Sequence, residues 1–138
     1  MKSWRDHYQA RISTAADAVQ IVKSGDRIVF SHACGEPRVL PGELIKRAEE
    51  LRNVEIVHMV PMGDALYCQP GYALSFRHVA FFAGKPTREA IWENRADYIP
   101  CLFSQVPSLF ESTLPIDIAM ITVSPPDDSG FCSLGVSV

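Results

Sequence analysis

The sequence predicts an α/β fold, a parallel-rich sheet with helices on both faces. Short β-branched apolar runs recur at Ile28-Val29-Phe30, at 54–60 and at 116–123. Between them lie stretches whose apolar residues repeat at helical spacing. Gly, Pro or Asn punctuates most of the boundaries. Strands alternating with helical stripes is the order expected of parallel strands, which need long crossovers rather than tight turns.

Taken in order, segment 14–23 places Ala15, Ala18, Val19 and Val22 on one helix face, with Ser13 or Thr14 as N-cap. Gly25 is suited to the left-handed position that ends such a helix. A buried strand follows at Ile28–Phe30, then the small, turn-prone piece Ser31–Pro37. Leu40, Leu44, Ala48 and Leu51 form a second helical stripe, with Pro41 acceptable in its first turn. Residues 54–60 are a strand, and 61–75, carrying Pro61, Gly63, Pro70 and Gly71, an irregular excursion. A strand returns at 77–82, a short helix is expected over 87–94, a weak strand over 98–102 and one or two helical turns over 104–111. Residues 116–123 are the strongest late strand. After the turn Pro125–Gly130 the pattern of 131–138 alternates, which predicts a last strand. A chain stopping within an apolar strand leaves groups awaiting partners, so these residues are expected to be the first portion of a longer protein.

Composition limits the function. With 138 residues, 47% hydrophobic and 21% charged, the chain fits one globular domain over 1–138. A net charge of −3 gives no general attraction to nucleic acid or to an anionic membrane. No apolar run approaches the roughly 20 residues of a membrane helix, and the charged start MKSWRDHYQAR lacks a signal-peptide core. A cytoplasmic location is therefore expected. Cys34, Cys68, Cys101 and Cys132 form no C-x-x-C pair and have no histidine at zinc-like spacing, so no metal site is expected. Their simplest reading is buried, reduced thiols.

The strand-to-helix junction at Ser31–Pro37 is the most suggestive place for chemistry. In open parallel sheets ligands bind beyond the carboxyl ends of the strands, and Gly35, without a Cβ, permits close backbone approach. Cys34 beside His32 resembles a nucleophile–base pair, but residues two apart need not face each other and no third group orients them. His58 and His78 fall within strands and read as core or sheet-surface residues; His7 reads as solvated. Asp127-Asp128 reads as a turn former, and Glu43, Glu49, Glu50 and Arg52 as a solvated helix face.

Two segments carry a resemblance. SGDRIVFSHACGEP (24–37), followed by a helix, and ITVSPPDDSGFCSLGVSV (121–138) resemble the amino-terminal part of the acetyl-CoA hydrolase/transferase family, and within it the 4-hydroxybutyrate CoA-transferase branch. WRDHYQARISTAADAV, VHMVPMG (57–63) and the 78–90 run support it. The resemblance implies one half of a fold shared by CoA-transferases and sugar-phosphate isomerases, the partner half being carboxyl-terminal. It implies CoA transfer between a short-chain acyl-CoA and carboxylates such as acetate, butyrate or 4-hydroxybutyrate, through a glutamyl-CoA thioester. The attacking glutamate belongs to the second half, so no catalytic residue is expected in this chain, and Glu36 does not fill that role. The CoA thioester is a substrate, and no permanently bound cofactor is implied.

By resemblance, Ala33, Cys34, Gly35, Glu36 and Pro37 lie near the acyl group or the pantetheine. Gly130, Ser133 and Gly135 are the diagnostic positions of the second segment. Backbone N–H groups are expected to do most of the work in both loops. A sugar-phosphate isomerase would need gathered basic residues, whereas Lys and Arg are scattered here; a non-catalytic CoA-binding fragment is a further alternative. Exposed apolar strand edges favour association, which leaves homo-oligomer formation open.

Overall fold

The computed structural model describes residues 3–135. Five strands, β1 (Arg27–Phe30), β2 (Val54–His58), β3 (Phe76–Ala80), β4 (Ala96–Tyr98) and β5 (Ile118–Met120), form one sheet. Their order is β4-β3-β2-β1-β5, and every pairing is parallel. The α/β class and the parallel sheet are those the sequence predicts.

Side chains alternate across this sheet, and each face has its own core. On the first face Ile28, Phe30, Val54, Ile56, Phe76 and Met120 pack against Val19, Val22, Leu44 and Ile45. These come from helix α2 (Ala15–Ala18), the 3₁₀ turn after it, and helix α3 (Leu40–Ile45). On the second face Val57, Val79 and Phe81 meet Val106, Leu109 and Phe110 of helix α5 (Val106–Glu111). Helix α4 (Arg88–Trp92) links β3 to β4 and buries only Ala90. At the amino end of the second face, Arg27 pairs with Glu55, Glu55 stands in register with Arg77, and Arg77 grips Asp97 at 2.5 and 2.6 Å. Charges alternate in sign along this row.

Local signals explain most boundaries. The Thr14 hydroxyl accepts the Asp17 N–H at 3.1 Å, as its N-cap role requires. Gly25 takes the left-handed region at φ 87°, in the turn into β1 rather than at the helix end, since the helical residues stop at Ile21. Helix α3 is shorter than its apolar stripe: Arg47, Ala48 and Glu50 donate three residues back, so the end of the stripe is a series of tight turns. The weak strand expected over 98–102 lies at 96–98. Helix α1 (Trp4–Gln9) buries no residue and so has no stripe to announce it; a reciprocal Ser3–Asp6 capping box closes it.

Two expectations are corrected. No strand forms over 131–135; 136–138 lie outside the described residues. The Asp127 carboxylate accepts the Ser129 and Phe131 amides, each at 2.9 Å, and the Ser124 hydroxyl accepts that of Ser133 at 2.8 Å. These donors are thereby consumed within the turn instead of in a ladder. The same bonds, Phe131 first, hold the Asp127 carboxyl below its ordinary range. No disulfide forms among the described residues, but Cys34 and Cys132 are exposed and Cys68 and Cys101 only half-buried. Burial pushes the Cys68 thiol up to about 12. Among the described residues no helix is long and apolar enough to cross a membrane, and no cluster could hold a metal ion.

The first face also buries two histidines completely. His58 Nδ1 lies 2.9 Å from the Tyr67 hydroxyl, and His78 Nδ1 lies 3.0 Å from the Ile56 carbonyl oxygen. The Nε2 atom of each has no hydrogen-bond partner among the described residues. Desolvation, with His78 as a like-charged neighbour, lowers His58 to about 3; desolvation lowers His78 to about 4. As pH falls below about 6.5 the unfolded chain takes up protons that the folded one refuses, so stability is lost toward acid. Urea unfolding at pH 7 and pH 5.5 should differ by about 1.2 kcal/mol per histidine. An unchanged free energy would mean that neither ring is buried neutral.

Candidate functional site

The chain runs from β1 to β2 on one side and returns as β5 on the other. The loops leaving β1 and β5 therefore diverge, and such a point in a parallel sheet opens a crevice at the carboxyl edge. Loop 31–37 occupies this point. Its residues Gly35, Glu36 and Pro37 are buried, Ala33 is half-buried and Cys34 is exposed. Ala33 adopts the left-handed region at φ 52° to begin a 3₁₀ turn over Ala33–Gly35.

This loop is braced on both flanks. Toward β5, the Ser31 amide donates to the Met120 carbonyl at 3.1 Å, and the Ser31 hydroxyl accepts the Thr122 amide at 3.3 Å while donating to the Gly35 carbonyl at 2.5 Å. Toward β2, the Ala33 amide donates to the Val60 carbonyl at 2.9 Å. Glu36 reaches the same loop: its Oε2 accepts the Met62 amide at 2.7 Å and the Gly63 amide at 2.9 Å. A Cβ on Gly63 would stand 3.0 Å from Glu36 Oε1, so glycine is what lets the carboxylate sit so close.

The bonding corrects the expected role of the backbone. The amides of Gly35 and Glu36 already donate to His32 and Ala33 carbonyls, and those of Gly130 and Gly135 to the Asp127 carbonyl and the Ser133 hydroxyl. With Ala33 bonded to Val60, these amides serve the loops' own shape and are not spare donors for a ligand.

Two hollows flank the braced loop. A rim cavity of ≈ 210 Å³ lies between Glu36, Pro37 and the start of α3 on one wall and Gly63, Asp64 and Tyr67 on the other. The second hollow, ≈ 450 Å³, lies on the opposite face among Val29, Val57, Val106 and Phe110, with Ser31, His32 and Thr122 at its polar end. Its walls are those of an incompletely covered sheet face. The rim cavity is the smaller and more polar of the two, with Glu36, Arg38 and Asp64 in its walls.

Of the residues singled out in the sequence, Glu36 and Pro37 meet at the rim cavity. Gly130, Ser133 and Gly135 do not line it; within their segment Leu134 reaches the opposite hollow. The His32 ring packs edge-on against Phe103 at 5.8 Å. Sequence reasoning placed Ser31 in the junction and Met62 and Gly63 in the supporting 57–63 segment without giving any of them a role, and it missed Tyr67. The available signal was positional: Pro61 and Gly63 directly follow β2 at the edge where loop 31–37 begins.

The whole chain, residues 1–138, matches the model of the acetyl-CoA hydrolase/transferase N-terminal domain. The chain belongs to this family. It is 47% identical over 135 residues to the 4-hydroxybutyrate coenzyme A transferase of Clostridium kluyveri, covering 97% of this chain and 32% of that protein. It is 33% identical to the succinyl-CoA:cyclohexane-1-carboxylate CoA transferase of Geobacter metallireducens, covering 99% of this chain and 31% of that protein. The chain thus spans about a third of these relatives' length. Among solved structures, the 4-hydroxybutyrate CoA-transferase of Porphyromonas gingivalis superposes with a TM-score of 0.73 at 29% identity, over 97% of this chain and 30% of that one. RipA of Yersinia pestis, at 24% identity, shares the fold with a TM-score of 0.90, over 98% of this chain and 34% of that one.

The second segment of this family domain is anchored by α1. A Cβ on Gly130 would stand 2.8 Å from Trp4 Cδ2, and Gly130 has φ 88°. Gly130→Ala should therefore destabilise the fold by about 1–3 kcal/mol through a strained backbone and a displaced indole. Urea unfolding followed by Trp fluorescence measures this; an unchanged midpoint would mean that Trp4 does not pack there.

Proposed function

We infer that this chain forms the amino-terminal part of a CoA-transferase acting on a short-chain acyl-CoA and a carboxylate. The observation that carries the reading is the 47% identity to the C. kluyveri enzyme across 97% of this chain. The rim cavity fits the reading as the seat of the acyl end: it is small, lies at the carboxyl edge, and takes Glu36 and Pro37 from the loop the sequence singled out.

Of the two carboxylates lining the cavity, Asp64 is exposed at its mouth and Glu36 is buried. The Glu36 carboxylate already takes two amide N–H bonds, which lower its nucleophilicity. The attacking glutamate is assigned instead to the remaining two-thirds of the enzyme. Its carboxylate adds to the thioester carbonyl and the CoA thiolate leaves, giving a mixed anhydride. The thiolate then adds to the glutamyl carbonyl, releasing the first acid as a carboxylate. The incoming carboxylate then adds to the glutamyl thioester carbonyl and expels the CoA thiolate, which adds to the incoming acyl carbonyl of the new anhydride, forming the product acyl-CoA and freeing the glutamate. In this scheme the present chain supplies a wall that holds the acyl end and excludes water from the anhydride.

Expressed alone, the chain should show no CoA transfer from acetyl-CoA to 4-hydroxybutyrate or butyrate. Fused to the remaining two-thirds of the C. kluyveri enzyme, it should restore transfer, followed by acyl-CoA chromatography. A folded fusion that transfers no CoA, or turnover by the isolated chain, would overturn the assignment.

A further inference from the structure

Glu36 is a buried carboxylate, 7% exposed, for which the transfer chemistry above has no use. Carboxylates are costly to bury and are seldom kept without partners. Here both partners are backbone amides of one neighbouring loop, consecutive in sequence, and both bonds end on the same oxygen, Oε2. Side-chain packing alone would not require a charged group at this place. Hydrogen bonds to an ionised acceptor are about twice as strong as neutral ones and fix direction.

The loop so held is one of the two walls of the rim cavity. Pro61 is buried, Ala65 sits in the left-handed region at φ 44°, and between them Met62, Gly63 and Asp64 have no ladder partner. The Met62 and Gly63 amides both donate to Glu36. On the other wall Glu36 is itself fixed, since its own amide closes the 3₁₀ turn onto Ala33 and Ser31 ties that turn to β5. Beyond the Ala33–Val60 backbone bond at its base, the link between the two walls is this one side chain.

We propose that Glu36 is a positioning residue: it fixes the 62–64 loop against the 33–37 loop and so sets the width of the cavity that orients the acyl group. The proposal rests on the CoA-transferase reading. It assigns Glu36 no contact with the reacting atoms. Misplacing a reacting group by about 1 Å costs on the order of 100-fold in rate, so loosening this wall lowers kcat more than it weakens binding of the CoA thioester.

The test uses the fusion of this chain to the remaining two-thirds of the C. kluyveri enzyme. Glu36→Ala should lower kcat roughly 10- to 100-fold while changing the acyl-CoA KM less than about threefold. Glu36→Gln, whose carbonyl oxygen can accept the same two bonds, should recover most of kcat. Gly63→Ala pushes on the carboxylate from the far side, and should lower kcat in a way that is not additive with Glu36→Ala. Hydrogen exchange at the Met62 and Gly63 amides should accelerate at least tenfold in Glu36→Ala and little in Glu36→Gln. A raised KM with unchanged kcat would make Glu36 a substrate-binding group and overturn the proposal. Equal losses in the Ala and Gln variants, additive effects with Gly63→Ala, or unaltered amide exchange would overturn it as well. A folded but inactive parent fusion would sink the transferase reading instead, while the exchange measurement still decides whether Glu36 holds the loop.

Discussion

Strand β1 is hydrogen-bonded in parallel on both sides, to β2 and to β5. The rest of the molecule follows from that pairing. Parallel strands present their carboxyl ends at one edge, and no tight turn can join them, so each strand must release its chain into a loop at that edge. Those loops carry amides and carbonyls that no ladder satisfies. Ser31 and Glu36 meet this need from the loop that leaves β1, one reaching toward β5 and the other toward β2. The rim is thus ordered by two short polar side chains and not by an apolar core. A site whose walls are placed by hydrogen bonds can be stiff at the surface, where burial offers little.

The two faces of the sheet differ in what they demand. The first face is closed by α2, α3 and the Tyr67 turn, tightly enough to enclose His58 and His78 as neutral rings. The Tyr67 phenol, itself pushed upward by burial, gives His58 its one side-chain partner. The second face is covered near the carboxyl edge by α5, and Phe103, Ile121 and Leu134 stay exposed around the hollow there. Rigidity is therefore concentrated on the side where the rim cavity lies.

Much of this was legible in the residues. The β-branched runs at 28–30 and 54–58 marked buried strands because a central parallel strand is apolar on both faces. Thr14 and Pro41 marked helix starts through the chemistry of unsatisfied N–H groups. Three things were hidden. Helix α1 buries nothing, and a capping box without a stripe is a faint signal. The alternation at 131–135 mimicked a strand because Phe131, Ser133 and Gly135 alternate with Cys132 and Leu134 for reasons other than pleating. The meeting of Glu36 with Met62 and Gly63 spans 26 and 27 residues, and no local rule encodes a contact of that separation. Burial of a glutamate between a glycine and a proline gave no periodic mark that a reader of the sequence could follow.

The row of alternating charges at the amino end of the second face has a bearing on how the chain finds its alignment. Hairpins fix register through their turns, but crossovers of a dozen or more residues leave neighbouring strands free to slide. The smallest slip that keeps each side chain on its own face is two residues. Such a slip of β1 along β2 would set Arg27 opposite Val57 in place of Glu55, and would strand a guanidinium against aliphatic surface. The correct alignment matches cation to anion across successive strands, whereas a shifted one breaks the match at once. In this molecule the ion pairs act as a vernier scale: each contributes little energy by itself, but together they tell the folding chain which of several similar apolar overlaps is the right one.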